Sequence, residues 1–336
     1  MAIITQLKNL FVFLFVKNIF KILFVIVFSV LFFVILFPKN ELSDFVSKMV
    51  SDQSHNQVNL AFEDMSFSMA NSLGVQLDQV FFEMAGRPPI TLKELVASPD
   101  LMSALNRKPY GRIKVSGLFS GDAEISVHKH RSDGESKADQ SMIAVTANKI
   151  DLMGLKSFLK LPFEMHGRAD LNTKAISIFQ LTPPADGSAQ PPFTLVEIPE
   201  LTLTVKNFDM PPFTLEQGMA LPFNVPGLKL SEIVLKARLF DNTFQIQELQ
   251  LGRANDELTG TIKGNVTMMK GPMMMPEGYE LTTDLQMRQS FHDKISLLLP
   301  ILNANRFVTP FAGGYSFKSK VSWRMGRAMP SFDSAR

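Results

Sequence analysis

The run YSFKSKVSWRM, residues 315–325, sets Tyr315, Phe317, Val321, Trp323 and Met325 at odd positions and Ser316, Lys318, Lys320, Ser322 and Arg324 at even ones. Side chains of an extended chain point alternately to its two sides, so this run reads as a strand with one apolar and one wet face. The same alternation fills Tyr279–Arg288, where Tyr279, Leu281, Leu285 and Met287 oppose Glu280, Thr282, Asp284, Gln286 and Arg288. In Leu258–Met268, Leu258, Ile262, Val266 and Met268 oppose Thr259, Thr261, Lys263, Asn265 and Thr267. Further runs lie at 58–62, 65–69, 75–84, 113–119, 123–127, 143–147, 201–205, 233–239 and 244–251. Two of them slip by one residue, near Glu63–Asp64 and Gln247–Glu248, as a β-bulge requires. The expected fold is mainly β and antiparallel.

Helix signals are few. Thr91 with Glu94 makes a capping box, and Ser98-Pro99 offers an N-cap followed by proline, so 91–106 is predicted as two short helices or one broken at Pro99. A turn or two is predicted over Met153–Lys160, and a further helix from Ser290 and Asp293 to Pro300 or Asn303. The stretch TPPADGSAQPP (182–192) is irregular by composition and reads either as a domain boundary or as a long hairpin loop. PPFTL occurs at 191–195 and again at 211–215, which fits two similar strand entries better than a repeat array.

The N-terminus has a different character. Residues 22–37 read ILFVIVFSVLFFVILF, with Ser29 alone polar, and adding Ile19, Phe20 and Lys21 makes a helix of about 28 Å, close to a hydrocarbon core of about 30 Å. Ile19, Lys21, Ile22, Phe28, Phe33 and Phe37 are the expected anchor contacts, with Lys21 extending its ammonium to the headgroups. A cleaved signal peptide would need small residues before the cut, and Val34–Phe37 followed by Pro38 supplies none. Lys8, Lys17 and Lys21 precede the span, whereas Lys39, Glu41, Asp44 and Lys48 roughly cancel behind it. The expected order is therefore a cytoplasmic or interfacial segment 1–18, a transmembrane helix 19–37 and an exported β-rich domain 38–336.

Composition narrows the function classes. The 336 residues are 46% apolar and 20% charged, which excludes disorder, and the absence of cysteine excludes disulfides, thiol nucleophiles and Cys-ligated metals. A net charge of +2 gives no reason to expect nucleic acid. No nucleophile elbow, phosphate-binding glycine loop or HExxH motif occurs. His128 and His130 share one strand face, but they run into Lys129, Arg131 and SDGESKADQ, a solvated hairpin tip more readily than a metal site. No enzyme activity and no cofactor are expected. Met268, Met269, Met273, Met274 and Met275 crowd TMMKGPMMMPEG. They either fill the end of the core or form an adaptable apolar contact for a partner or a bilayer, with Phe317 and Trp323 as further contact candidates on the same sheet face.

Taken together, these residues resemble a known family. A single N-terminal helix followed by SLGVQLDQV (72–80), with the glycine-punctuated strands MHGRADLNTKAISIF (165–179) and LTGTIKGNVTM (258–268), is similar to the type II secretion system protein N family. The closing strand GYSFKSKVSWRMGRAMP (314–330) fits as well, and the pattern also resembles the wider AsmA-like inner-membrane proteins. The resemblance implies a bitopic inner-membrane protein of a Gram-negative cell with an extended, curved periplasmic sheet. It implies partners among inner-membrane lipids and other secretion-system subunits, and no catalytic residue. Two functions follow: a non-catalytic scaffold or assembly factor of the secretion machinery, or a lipid-binding or lipid-transfer protein holding phospholipid in an apolar groove on the concave sheet face. A tethered hydrolase is the least favoured third.

Overall fold

The alternating runs do become strands, and they hydrogen-bond in chain order. The computed structural model describes residues 39–54, 57–68, 74–106, 108, 110–130, 140–179, 193–215, 223–269, 275–296, 298–301, 304–327 and 330–334, with Lys21, Phe24, Val25 and Phe28. The chain divides into two compact units, Met1–Asn56 and Gln57–Arg336. In the first, Lys21, Phe24, Val25 and Phe28 are helical. Phe24 and Phe28, one turn apart, bring their rings to 4.4 Å. Helix α1 (Lys39–Gln53) follows. Among the described residues no helix is long and apolar enough to cross a membrane. Apart from those four helical residues, the expected span 19–37 lies outside the described residues.

The second unit is a sixteen-stranded antiparallel sheet with a small separate hairpin. Its first half holds β1 (Val58–Ala61), β2 (Asp64–Ser68), β3 (Gly74–Met84), β4 (Ile90–Pro99), β5 (Gly111–Leu118), β6 (Gly121–Lys129), β7 (Gln140–Asp151) and β8 (His166–Phe179). After β9 (Phe193–Met210), the hairpin β10 (Phe213–Leu215) and β11 (Phe223–Val225) stands apart. The sheet resumes with β12 (Leu228–Phe240), β13 (Thr243–Leu251), β14 (Leu258–Met268), β15 (Pro276–Met287), β16 (Val308–Phe311), β17 (Gly314–Arg324) and β18 (Ser331–Asp333). From β3 to β9 every strand pairs with the next in sequence, β9 pairs with β12, and the meander continues to β15 and β17. Short strands blunt both edges: β1 and β2 lie on β3, and β16 and β18 lie on β17. Pro310, which has no N–H to give a ladder, sits on edge strand β16.

Three local devices hold the register. Asp241 and Asn242 both adopt positive φ, 46° and 57°, closing the tight β12–β13 hairpin with the right-handed twist its strands need. The slip expected near Gln247 is present, since the β13–β14 register jumps between Ile246 and Leu249. The slip near Glu63 becomes a complete break between β1 and β2. Gly260 and Gly264 let β14 lie close to β15: a Cβ on Gly264 would meet the Glu280 carbonyl oxygen and come within 2.8 Å of the Leu281 Cα, and its φ is +148°.

The expected helix over 91–106 is mostly strand. Thr91 and Glu94 pair with Phe81 and Asp78 in β4, and only α2 (Leu101–Leu105) is helical. A capping box is a local preference, and the two-sided pairing of β4 with β3 and β5 overrides it. Short helices do form near the other two expected positions, α3 (Leu152–Leu159) and α4 (Gln289–Ile295) with α5 (Leu298–Ile301). Asp151 caps α3, accepting from the Met153 amide at 3.0 Å, whereas the N-cap of α4 is Arg288 rather than Ser290, with no side-chain bond. The stretch 182–192 itself lies outside the described residues. The strands on either side of it are direct neighbours, with Phe179 opposite Phe193, inside the single unit 57–336.

Asp256 ties the β13–β14 connection to the start of β12. Its Oδ2 accepts from the Ser231 amide at 2.9 Å, the Ser231 hydroxyl at 2.6 Å and the Arg253 amide at 2.7 Å. Partial burial works against its charge, but these donors and the Arg253 guanidinium outweigh it, and its carboxyl titrates below the usual 3.8. The stability gained is complete above the ordinary aspartate value and is lost as pH falls below it. Two outcomes are expected from chemical denaturation. Asp256→Ala costs about 1–3 kcal/mol at neutral pH, with the gap from wild type closing in acid. Gly264→Val costs at least about 2 kcal/mol, because backbone rather than a movable side chain blocks the new Cβ.

Candidate functional site: a partly covered apolar sheet face

Following the register across β5–β9 gives ordered rows of side chains on one face. Val115, Ala123, Ala147, Leu171 and Leu203 form one row; Ile113, Ile125, Val145, Thr173 and Leu201 form the next. Val127, Ile143 and Ala175 begin a third. The opposite face carries charge in cross-strand pairs. Lys114 and Arg112 meet Glu124 at 3.8 and 3.0 Å, Lys174 meets Glu200 at 2.8 Å, and Lys206 meets Asp170 at 3.2 Å. Beyond these strands Lys236–Glu248 and Lys318–Asp284 continue the pattern at 3.2 and 2.9 Å. Each such exposed pair contributes about 0–1 kcal/mol, so their main effect is to keep this face wet and its register fixed.

Short elements close the apolar face at one end of the sheet, here the capped end. Leu152 of α3 is buried with Ala147, Ile150, Ala169 and Val205, and Leu118, Phe119 and Leu155 pack around them. Phe119 occupies the β5–β6 turn at φ 46°, an unusual conformation for a bulky residue, and its ring lies 5.9 Å from that of Phe158 in α3. Arg87, on the β3–β4 connection, donates to the Phe158 carbonyl at 2.7 Å, so α3 reaches across the ends of several strands. Farther along the same end, Phe291 of α4 and Leu299 of α5 are buried with Leu230, Leu258, Met287 and Phe317. His292 stacks on Tyr315 at 3.7 Å, and Lys294 pairs with Glu257 at 2.7 Å. The two clusters share Phe208 and Ile233 and so form one capped band.

Away from this band the apolar face loses its cover. In β7 the residues Met142 to Thr146 are all half-buried, and so are Ala123 to Val127 in β6 and Leu201 to Thr204 in β9. A sheet with a second layer on its apolar side would bury every other residue of these runs; here apolar and polar neighbours alike stay half-buried. Ile113 is 40% exposed, against 8% for Ala147 in the capped row. From β12 to β17 the apolar side is better covered: Ala237 and Leu239 are buried, as are Thr283 and Ser319. Thr283 donates to the Ser319 carbonyl at 3.0 Å and Ser319 to that of Asp333 at 3.0 Å. The uncovered part is thus a strip of mostly aliphatic side chains over β5–β9, bounded by α3 at one end and by the buried Ser141 and Ser177 of the same face toward the other.

The expected contact residues divide. Phe317 is 8% exposed and set edge-on to Phe332 at 6.3 Å, which makes it core beneath α4 and α5. Trp323 lies half-buried at the open end, stacked on Tyr279 at 5.9 Å, and its indole N–H donates to the Arg327 carbonyl at 2.9 Å. Burial pushes the Tyr279 phenol up, so it stays neutral well past pH 7. Met268 is half-buried and pairs with Pro276, while Met269 and Met275 are exposed and joined by a Met269 amide to Met275 carbonyl bond of 2.8 Å. Met273 and Met274 lie outside the described residues, as do Ile19, Ile22, Phe33 and Phe37. Lys21 and Phe28 are helical and exposed.

No catalytic grouping emerges among the described residues. A depression of about 510 Å³ gathers Asp100, Ser103, Tyr110, Arg112, His128 and Lys129. Asp100 is engaged by the Ser103 hydroxyl at 2.7 Å, which holds its carboxyl below the usual range, and Arg112 is engaged by Glu124. Among the described residues no cluster of His, Asp and Glu is arranged to hold a metal ion. Comparison with protein-family models, with curated proteins and with solved structures finds no match to this chain.

The cap is testable at Gly154. A Cβ there would lie 2.6 Å from the Phe119 ring and 3.0 Å from its Cβ. Helix propensity alone favours Gly154→Ala by about 1 kcal/mol. The contact reverses that sign: the variant is expected to lose about 1–2 kcal/mol in chemical denaturation and to bind more of a hydrophobic dye as α3 lifts from Leu152.

Proposed function

We propose that this chain is a membrane-tethered, non-catalytic protein whose exported sheet holds acyl chains along the apolar face of β5–β9. The observation that carries this reading is that Ala123–Val127, Met142–Thr146 and Leu201–Thr204 stay half-buried on both faces, where a covering layer would bury the apolar residues. A band of Ile, Val and Leu left in contact with water is costly, at about 25 cal/mol for each Å² that a ligand could cover. A flexible hydrocarbon chain suits such a surface, because the one hydroxyl in its named rows, that of Thr173, already donates to the Glu200 carbonyl at 3.0 Å. The sequence supports the tether: residues 19–37 have the length and flanks of a single transmembrane helix, and the lysines before it favour a cytoplasmic N-terminus with the sheet in the periplasm. Inner-membrane lipid would then be the nearest source of ligand, in keeping with the resemblance to AsmA-like proteins, which implies a curved sheet cradling the chain.

The resemblance to the type II secretion system protein N family supports a second reading, in which the same face receives another secretion subunit and the protein acts as scaffold or assembly factor. The short strands on both edges favour the face over the edge as the contact surface.

Site-specific photo-crosslinking in cells separates the two. A photoreactive residue at Ile125 or Val145, on the apolar face, is expected to yield phospholipid adducts, and the same residue at Glu124 or Thr146, on the wet face, none. Protein adducts from Ile125 and Val145 without lipid would transfer the assignment to the scaffold. No adduct of either kind, or equal lipid adducts from both faces, would overturn the acyl-chain reading.

A further inference from the structure

The uncapped end of the sheet has a feature that acyl-chain holding does not require. α2 joins β4 to β5 there, with Met102 and Leu105 exposed. The β12–β13 hairpin presents Phe240, the β14–β15 connection presents Met269 and Met275, and the turn after β17 presents Met325. These six side chains are between 41% and 80% exposed, and the strand register places all of them at one end. From β5 to β17 the sheet order takes nine steps, about 43 Å at about 4.8 Å per strand. Exposed apolar residues scattered singly over a surface need no explanation; a file of them on separate tips of one rim does. The capped end exposes fewer: Met153 and Leu159 on the single helix α3, and Phe311 at the β16–β17 turn.

We propose that this rim is a bilayer-docking edge, inserting Met102, Leu105, Phe240, Met269, Met275 and Met325 into the interfacial region of a lipid membrane. A protein partner would need a complementary surface about as long as the rim, whereas a bilayer is planar, deformable and indifferent to the spacing of the tips. Four of the six are methionine, whose unbranched side chain adapts to a fluid phase. Exposed cations flank them: Lys108 follows α2, Lys129 ends β6, and Arg324 and Arg327 bracket Met325, with no ion-pair partner among the described residues. Asp100, Asp241 and Glu277 stand on the same rim and offset part of that charge, so apolar insertion rather than headgroup attraction supplies most of the binding. The inference stands apart from the acyl-chain reading, since a rim can dock whether or not the face carries a ligand.

The test uses the full chain with its N-terminal segment held in a nanodisc, so that this segment is unavailable to added membranes. Sucrose-loaded vesicles of phosphatidylethanolamine with a minority of phosphatidylglycerol are added and pelleted. Trp323 is the one tryptophan of the sequence, and it reports on the rim when brominated phospholipid is placed in the vesicles. Wild type is expected to pellet with the vesicles, to show quenched Trp323 fluorescence, and to do both in high salt. A variant with Met102→Ser, Leu105→Ser, Phe240→Ser, Met269→Ser, Met275→Ser and Met325→Ser is expected to bind at least tenfold more weakly with an unchanged circular dichroism spectrum. Failure of wild type to pellet, pelleting without quenching, binding abolished by salt, or a variant that pellets like wild type would each overturn the proposal. The Val145 crosslink to phospholipid is expected to persist in the variant, so loss of docking and loss of acyl-chain holding are read separately.

Discussion

An antiparallel sheet with one apolar face is stable in water only where something lies on that face. Strand order, the charged ladder and the turn residues all give way to this constraint. Hydrogen bonds along the ladder fix which residues neighbour each other, but their net contribution is small because the unfolded chain bonds equally well to water. Covering the hydrocarbon side chains is what contributes on balance. Here α3 lies over Ala147, Ala169 and Val205, and α4 with α5 lies over Leu258, Met287 and Phe317. Over β5–β9 the covering stops after the first rows, and the open strip becomes the most informative surface of the molecule.

The sequence makes the two faces legible but not their covering. Alternation in residues 315–325, 279–288 and 258–268 predicts the two-faced strands seen as β17, β15 and β14, whereas the pairing that sets Tyr279 opposite Trp323 is read from the structure. The slip at Gln247 is visible in the residues because a bulge shifts the phase of the apolar positions. Thr91 and Glu94 mislead because a capping box is judged over four residues, whereas the fate of that segment is decided by pairing with β3 and β5. Phe317 and Trp323 look alike in sequence, six residues apart on one face. One becomes core and the other remains at the open end, a difference set by where α4 and α5 lie. Periodicity reports which side is apolar; only tertiary structure reports what lies on it.

The lack of a converging polar site among the described residues fits the same pattern. Carboxylates and ammonium groups are spent in pairs along the wet face, Lys174 with Glu200 or Lys318 with Asp284, and such pairing leaves few groups free to perform acid–base chemistry. Asp256 shows the local use of a carboxylate in this architecture: it gathers two amides and a hydroxyl that the turn and the β12 start would otherwise leave to solvent.

Because nearly every strand is hydrogen-bonded to the strand before and after it in sequence, the ladder grows by addition, much as a fence lengthens by panels. A two-strand unit gained or lost at a connection such as that between β8 and β9 would leave the other pairings in place, and the width of the sheet would change by about 10 Å. Ancestral lengthening or trimming of such a chain needs no redesign of a central core. In a protein organised in this way the number of hairpins sets the width of the sheet.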